Sequence, residues 1–171
     1  VLEQIVEKMD QEDDQADAYI QDLVNIRSDV VAVTICDEKG ELLRYWNRGQ
    51  KLKERYRVVQ YAEEKSNDDE FYITKPYVEA LFEEYYPWVV TVYQKIEKAD
   101  GTPLQINIDI RFSDIANYVD NVGIGQHGYA YIADKKGNLI YHPQQQLIYS
   151  GLKKEMGTDL KEGTHIQEQV I

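Results

Sequence analysis

Residues Trp88 to Phe112 have the sequence WVVTVYQKIEKADGTPLQINIDIRF, which is the most regular pattern in the chain. Apolar and polar residues alternate along both of its arms, which is the period of a β-strand that buries one face. The arms extend over Trp88 to Glu97 and Leu104 to Phe112, and the residues between them include the turn-forming pair Asp100-Gly101. The segment therefore predicts an antiparallel hairpin with one apolar face and one polar face.

Pairing in this hairpin follows from the alternation. Both apolar faces stay on the same side only if even-numbered residues pair with even-numbered residues. We expect Tyr93 to lie opposite Asp109 and Thr91 to lie opposite Arg111. The apolar face would then dock on a helix. The opposite, polar face carries Thr91, Tyr93, Lys95, Asn107, Asp109 and Arg111.

Two interpretations of the polar face remain open: a solvated surface with an ion pair, or the floor of a ligand pocket. The segment from Asp69 to Tyr86 is rich in aromatic residues that could roof such a pocket. Asp109 would bind an ammonium or hydroxyl group, and Arg111 would bind a carboxylate. The predicted site for a small polar ligand consists of Asp109, Tyr93, Arg111, Thr91, Asn107, Tyr77, Tyr72 and Trp88.

The N-terminal region has the period of a helix. Apolar residues recur at spacings of three, four and seven from Leu2 to Val24, which predicts one long amphipathic helix that ends near Asn25 to Asp29. The seven-residue spacing between Met9 and Ala16 is suited to packing against a second copy. We therefore expect a homodimer that forms through this helix.

A hairpin motif occurs twice in the chain. The residues from Thr34 to Leu43, TICDEKGELL, match Tyr131 to Ile140, YIADKKGNLI, at an offset of 97 positions. Each copy predicts two strands joined by a turn in which glycine supplies the positive φ. The match predicts two modules of one design. Between the first hairpin and the Trp88 hairpin, we expect a helix-compatible stretch over Gln50 to Ser66 and a short strand over Glu70 to Lys75.

These elements predict an α+β fold with tandem PAS-like modules built on antiparallel sheets. Residues 1–29 form the long N-terminal helix, residues 30–112 the first module, and residues 113–171 the second, which opens with a connecting helix over Ser113 to Asn121. By the offset of the repeat, we expect the later strands of the second module to follow Ile171.

The composition of the chain and its lack of known catalytic motifs exclude several classes of function. The 31 acidic and 19 basic residues give a net charge of −12, which repels phosphate backbones and excludes nucleic acid as an expected partner. The common catalytic signatures are absent, so we do not expect an enzyme. The three histidines do not have the spacing of metal ligands, and we assign the single cysteine, Cys36, to core packing. We therefore expect neither a metal site nor a cofactor. We assign Glu79, Glu83 and Glu84 to the solvated surface of a helix.

Three further segments carry a resemblance to a known family. The segments are YITKPYVE from Tyr72, QINIDI from Gln105, and GYAYIADKKGNLIYHP from Gly128 to Pro143. Together with the long helix and the first hairpin, they resemble double Cache (dCache) domains, the extracytoplasmic sensor domains of bacterial histidine kinases and chemoreceptors. The resemblance implies that the first, membrane-distal module binds a ligand, and Asp109 matches an aspartate of the family. The arginine of amino-acid-binding members is absent between Val78 and Trp88.

The expected function is that of an extracytoplasmic small-molecule sensor domain in a membrane-anchored receptor. The resemblance favours a two-component sensor histidine kinase as the parent protein, so that only the parent would be an enzyme. Two alternatives remain: the ligand-binding domain of a methyl-accepting chemotaxis receptor, and a ligand-free module that senses a partner protein.

Overall fold

The computed structural model describes residues 13–54, 71–97, 101–122, 128–133 and 139–144. They belong to two compact units, of which the first ends at Asp114 and the second begins at Ile115. Several predictions fall outside the described residues. They concern the start of the long helix and its Met9 contact, most of the stretch from Gln50 to Ser66, and the end of the second module.

Helix α1 spans Asp13–Ile26 and packs on one face of a sheet. Ala16, Ile20 and Val24 are fully buried along one stripe, as the apolar spacing predicted. Neither described helix has the length and apolar character that crossing a bilayer requires.

A side chain from the sheet caps the C-terminal end of α1. The last carbonyl oxygens of a helix have no partner within the helix. The guanidinium group of Arg48 donates to one such oxygen, that of Val24, and to the carbonyl oxygens of Arg27 and Ser28 just after the helix. The end of the helix is therefore fixed to the residue that follows the second strand.

The described residues of the first unit form six strands, and every pairing between these strands is antiparallel. The strands are β1 Val30–Asp37, β2 Leu42–Asn47, β3 Phe71–Ile73, β4 Tyr77–Val78, β5 Trp88–Glu97 and β6 Pro103–Arg111. Their order is β2-β1-β6-β5-β3, and β4 also pairs with β5. Helix α2, Phe112–Asp120, follows β6 directly. The α+β prediction is confirmed, and β4 is a strand that was not predicted.

Both faces of the sheet are buried. On one face, Leu104, Ile106 and Ile108 of β6 form a core with Ile20 and Val24 of α1, as predicted for the apolar face. On the other face a second apolar cluster contains Val31, Ala32, Cys36, Leu81, Phe82 and Val89. The interpretation of the polar face as a solvated surface is therefore wrong, because the segment after β4 covers it.

The predicted register of the β5–β6 hairpin is wrong by two residues. Even-numbered residues do pair with even-numbered ones, but Thr91 lies opposite Asp109, and Tyr93 lies opposite Asn107. Arg111 lies opposite Val89. Alternation fixes only the parity of the pairing, whereas the length of the connecting turn fixes its position. Here the turn closes with Glu97 paired to Pro103.

A bulge in β1 lies beside Asp109. Val30 pairs with Ile110 and Ala32 with Asp109, so Val31 is an extra residue at this point. Val31 and Ala32 both belong to the cluster on the polar side of the sheet. Bulges change the direction in which neighbouring side chains point, and they are common beside functional sites.

The second unit contains a short hairpin of β7, Ile132–Ala133, and β8, Leu139–Tyr141. Ile132 pairs with Tyr141 and Ala133 with Leu139, with an irregularity between the two pairs. In the first hairpin Ile35 pairs with Arg44 and Cys36 with Leu42, with an irregularity at the same point. Both pairs and the irregularity recur 97 positions later, so the repeated hairpin is confirmed in register as well as in sequence.

Candidate functional site

Two carboxyl groups are buried together on the polar side of the sheet. Asp109 lies near the end of β6 and is 3% exposed, and Glu79 directly follows β4 and is 4% exposed. The residues opposite Asp109 on the neighbouring strands are Thr91 and Ala32, which both have small side chains. The position of Asp109 on the strand fixes the direction of its carboxyl group.

The hydroxyl groups of Thr91 and Tyr77 contact Asp109. The Thr91 hydroxyl donates to the Oδ1 atom of Asp109 at 2.6 Å, and the Tyr77 hydroxyl lies 3.5 Å from the same oxygen. The two hydroxyl oxygens are 2.7 Å apart. Tyr77 pairs with Val89 through β4, so a strand of two residues brings its hydroxyl group over the sheet.

Glu79 contacts the same hydroxyl group from the other side. Its Oε2 atom accepts from the Tyr77 hydroxyl at 3.1 Å. Its Oε1 atom accepts from the backbone N–H groups of Ala80 at 2.6 Å and Leu81 at 2.9 Å. These bonds fix the carboxyl group of Glu79 at the point where the chain turns onto the sheet.

Burial and the neighbouring acid change the protonation of Asp109. Loss of hydration and the negative charge of Glu79 raise the pKa of Asp109 to about 8, while the hydroxyl groups of Thr91 and Tyr77 act in the opposite direction. A hydrogen bond with Glu79 also raises this pKa, because the protonated carboxyl group donates to its neighbour. At neutral pH Asp109 therefore holds a proton.

A row of neutral polar side chains continues the site along the sheet. The side-chain amide of Asn107 donates to the Thr34 hydroxyl at 3.1 Å and accepts from the Gln105 amide at 2.6 Å. Cys36 lies 3.7 Å from the same amide nitrogen, and burial raises the pKa of its thiol. The row is uncharged at neutral pH, unlike the carboxyl pair beside it.

Stacked tyrosines border this row. Tyr72 pairs with Tyr93, and their ring centroids are 5.3 Å apart. Burial raises the pKa of Tyr93, so its hydroxyl group remains protonated. Both residues were predicted for the site, and their strand positions place them in line with Asn107.

The structure places two predicted site residues elsewhere. The guanidinium group of Arg111 lies 3.5 Å from the carboxyl group of Asp114 at the start of α2. Trp88 is 57% exposed, and strand alternation places it on the face opposite Asp109. The carboxyl cluster therefore consists of Asp109, Thr91 and Tyr77 from the predicted set, together with Glu79, which was missed.

The segment that covers the cluster differs from its prediction. No helix is described over 71–97, so the assignment of Glu79 to a solvated helix is wrong. Instead, the chain turns after β4, and Glu84 adopts a positive φ of 53°. Phe82 is fully buried over the sheet and Tyr85 packs beside it, whereas Phe71 and Tyr86 are exposed. Part of the predicted aromatic roof is thus present.

An antiparallel PAS-like sheet with a buried polar cluster on one face is typical of sensor domains in signal transduction. No protein-family model matches the chain. The chain is 28% identical over 141 residues to the methyl-accepting chemotaxis protein McpA of Bacillus subtilis (strain 168). The match covers 81% of this chain and 19% of that protein. The similarity indicates a chemoreceptor-type signalling domain, and the chain spans about a fifth of its relative's length.

Proposed function

We propose that the chain is the extracytoplasmic input domain of a transmembrane receptor, and that its first unit binds a small polar ligand at the carboxyl cluster. The observation that supports the proposal best is the burial of Asp109, Glu79 and Thr91 around the hydroxyl group of Tyr77. Burying polar groups costs free energy that an apolar face would not cost. A binding site offers a reason to retain them.

The parent protein is proposed to be a chemotaxis receptor rather than a histidine kinase. The similarity to a methyl-accepting chemotaxis protein supports this choice between the two outputs. The extracytoplasmic location is proposed from the dCache resemblance. The same resemblance supports attachment to the membrane through the parent protein.

Within the first unit, α1 is the proposed output element. It packs on β1 and β2 through Ile20 and Val24, and Arg48 ties its last turn to the end of β2. A ligand that changes the position of β1 would therefore move α1 with it. We propose that α1 packs against its counterpart in a homodimer, which sedimentation equilibrium would detect as a doubled mass.

A thermal-shift screen tests the sensor function. The 171-residue chain is heated with amino acids, amines, organic acids, purines and sugars in turn. A ligand at a hundredfold excess over its Kd adds about 2.7 kcal/mol to the free energy of unfolding. We expect one chemical class to raise the Tm, and Asp109→Asn to lose that rise.

The matched control is Asp22→Asn, which removes an exposed carboxylate on α1 and keeps the response. If no class of compound raises the Tm of the folded wild-type chain, the proposed function is contradicted. An equal response from Asp109→Asn would contradict the placement of the site.

A further inference from the structure

A cleft of about 510 Å³ lies where α1 meets the end of β2. Volumes of this order are typical of small-molecule sites. The carboxyl cluster is built from β4, β5, β6 and the residue after β4, so the cleft and the cluster share no residue. The residues that line the cleft are Gln21, Asn25, Tyr45, Asn47, Arg48 and Gly49.

The lining of the cleft is neutral except for one arginine. Three of its six residues carry side-chain amides, one is a tyrosine and one is a glycine. The chain has 31 acidic residues and a net charge of −12, yet none of the described residues that line the cleft is acidic. A cationic ligand would therefore lose its hydration without gaining a counter-charge.

The guanidinium group of Arg48 is bonded to the end of the helix. Its Nε, Nη1 and Nη2 atoms donate to the carbonyl oxygens of Val24, Ser28 and Arg27, respectively. The carbonyl end of a helix carries partial negative charge, which offsets the positive charge of the guanidinium group. An anionic ligand would compete with the bonds that fix the end of α1. The lining therefore favours a neutral ligand.

Hydrogen bonds fix the amides of the lining against one another. The Nε2 atom of Gln21 donates to the Oδ1 atom of Asn25 and to the carbonyl oxygen of Asn47, both at 3.1 Å. The side chain of Asn47 donates to the carbonyl oxygen of Gln50 at 2.8 Å and accepts from the N–H group of Gly49 at 2.7 Å. Among the described residues, the Oε1 atom of Gln21 and the Nδ2 atom of Asn25 have no hydrogen-bond partner. Two bonded amides thus offer one acceptor and one donor.

Tyr45 supplies the apolar surface of the cleft. It is 45% exposed, and it is the one aromatic residue among those that line the cleft. A sugar ring can pack a face of C–H groups on an aromatic ring, while each of its hydroxyl groups both donates and accepts hydrogen bonds. A flat purine base has two apolar faces, and a single aromatic ring covers only one of them.

We infer that this cleft is a second ligand site and that it binds a neutral sugar. Adjacent hydroxyl groups of the sugar accept from the Nδ2 atom of Asn25 and donate to the Oε1 atom of Gln21, while the ring packs on Tyr45. The inference goes beyond the proposed function, because the site does not use the carboxyl cluster. A sugar bound here contacts both α1 and β2, so it stabilises the position of the proposed output helix on the sheet.

NMR titration of the ¹⁵N-labelled 171-residue chain tests the inference. The probes are glucose, galactose, ribose and maltose, with glycerol, adenine and acetate as comparison compounds that lack a sugar ring. We expect at least one sugar to shift the side-chain amide signals of Gln21, Asn25 and Asn47, and the comparison compounds to leave them unchanged. Calorimetry on the same chain gives the Kd.

Two variants of exposed residues test the contacts. Tyr45→Ala removes the aromatic ring and Asn25→Ala removes the amide donor, and each should weaken sugar binding about tenfold. The matched controls are Tyr118→Ala and Asn117→Ala, which remove an exposed tyrosine and an exposed asparagine from α2 and should leave the Kd unchanged. Melting curves check that each variant is folded. If Tyr45→Ala does not fold, Asn25→Ala decides the result.

The outcomes separate this inference from the proposed function. A sugar response that Tyr45→Ala loses and Asp109→Asn keeps supports the cleft, and the carboxyl cluster is then tested with the other classes of compound. A response that Asp109→Asn loses and Tyr45→Ala keeps places the sugar at the carboxyl cluster, which overturns the inference and supports the proposed function.

Two further results overturn the inference and leave the proposed function in place. One is that no sugar shifts the amide signals of the cleft. The other is that glycerol, adenine or acetate shifts them and no sugar does. A sugar response that both Tyr45→Ala and Asn25→Ala keep at full strength also contradicts the placement of the sugar in the cleft.

Discussion

The two faces of β6 are both buried, but they are built from different side chains. Leu104, Ile106 and Ile108 contact the core beneath α1, whereas Gln105, Asn107 and Asp109 form the polar side of the sheet. All six residues are buried. Burial thus does not distinguish the two faces, and only their chemistry does.

The apolar face of β6 stabilises the fold, whereas the polar face carries the residues of the proposed binding site. Removing apolar surface from water stabilises the first face by about 25 cal/mol per Å². The second face must satisfy each polar group with a partner, and Asp109 in addition retains a proton at neutral pH.

The largest expected effect comes from breaking the apolar face. Ile106 is fully buried, and Ile106→Ala leaves a cavity beneath α1. We expect a loss of about 2–5 kcal/mol in the free energy of unfolding, measured by urea denaturation. A loss below about 1 kcal/mol would contradict the assignment of this face as the main core.

The pH dependence of stability distinguishes the two faces of β6, because Asp109 on the polar face titrates and the apolar residues do not. The pKa of Asp109 rises from 3.8 in the unfolded chain to about 8 in the folded one, so the folded state binds the extra proton between these values. Stability from this group is complete below about pH 4 and is lost as pH rises to 8. Between pH 6 and pH 8 the expected loss is roughly 2 kcal/mol.

Urea denaturation of the wild type and Asp109→Asn at both pH values measures this loss. The amide cannot ionise, so the variant lacks this part of the pH dependence, and Asp22→Asn retains it. An identical pH dependence in wild type and Asp109→Asn would show that Asp109 does not titrate in this range.

A smaller effect is expected from Thr91→Val, which removes the hydroxyl donor to Asp109 and keeps the shape of the side chain. The loss of this hydrogen bond costs about 1–2 kcal/mol. The same bond lowers the pKa of Asp109, so its removal moves the titration to higher pH. Urea denaturation at pH 6 and NMR titration measure the two effects. A fall in the pKa of Asp109 would contradict the contact.

The smallest effect is expected at Arg111, which was predicted to bind a ligand carboxylate. Its guanidinium group forms a partly exposed ion pair with Asp114, and such pairs contribute little. Arg111→Gln should change the free energy of unfolding by less than about 0.5 kcal/mol and leave the affinity for a ligand found in the thermal-shift screen unchanged. A tenfold loss of affinity would return Arg111 to the site.

Sequence patterns were sufficient for the elements with long and regular periods. The alternation in β5 and β6 predicted both strands and the chemistry of their faces, and the spacing from Ala16 to Val24 predicted the buried stripe of α1. The repeat predicted a second hairpin, and the structure shows that its register is that of the first. Asp109, Thr91 and Tyr77, which strand alternation and aromatic content assigned to one predicted site, are in contact in the structure.

The remaining features depend on contacts that have no local period. β4 has two residues, too few to show alternation, and so the burial of Glu79 was missed. In the sequence, Glu79 follows Pro76 and precedes an aromatic cluster, and a residue in that position can face either the sheet or solvent. The turn after β4 determines that it faces the sheet. The bulge at Val31 and the register of the hairpin follow from how the strands meet, which parity does not determine.

The most direct test of the central claim is to follow the carboxyl carbon of Asp109 by NMR from pH 5 to pH 10, in a chain labelled with ¹³Cγ-aspartate and assigned with Asp109→Asn. The expected result is a titration near pH 8, because burial and the neighbouring Glu79 raise the pKa of Asp109. A carboxylate signal throughout this range would contradict that result.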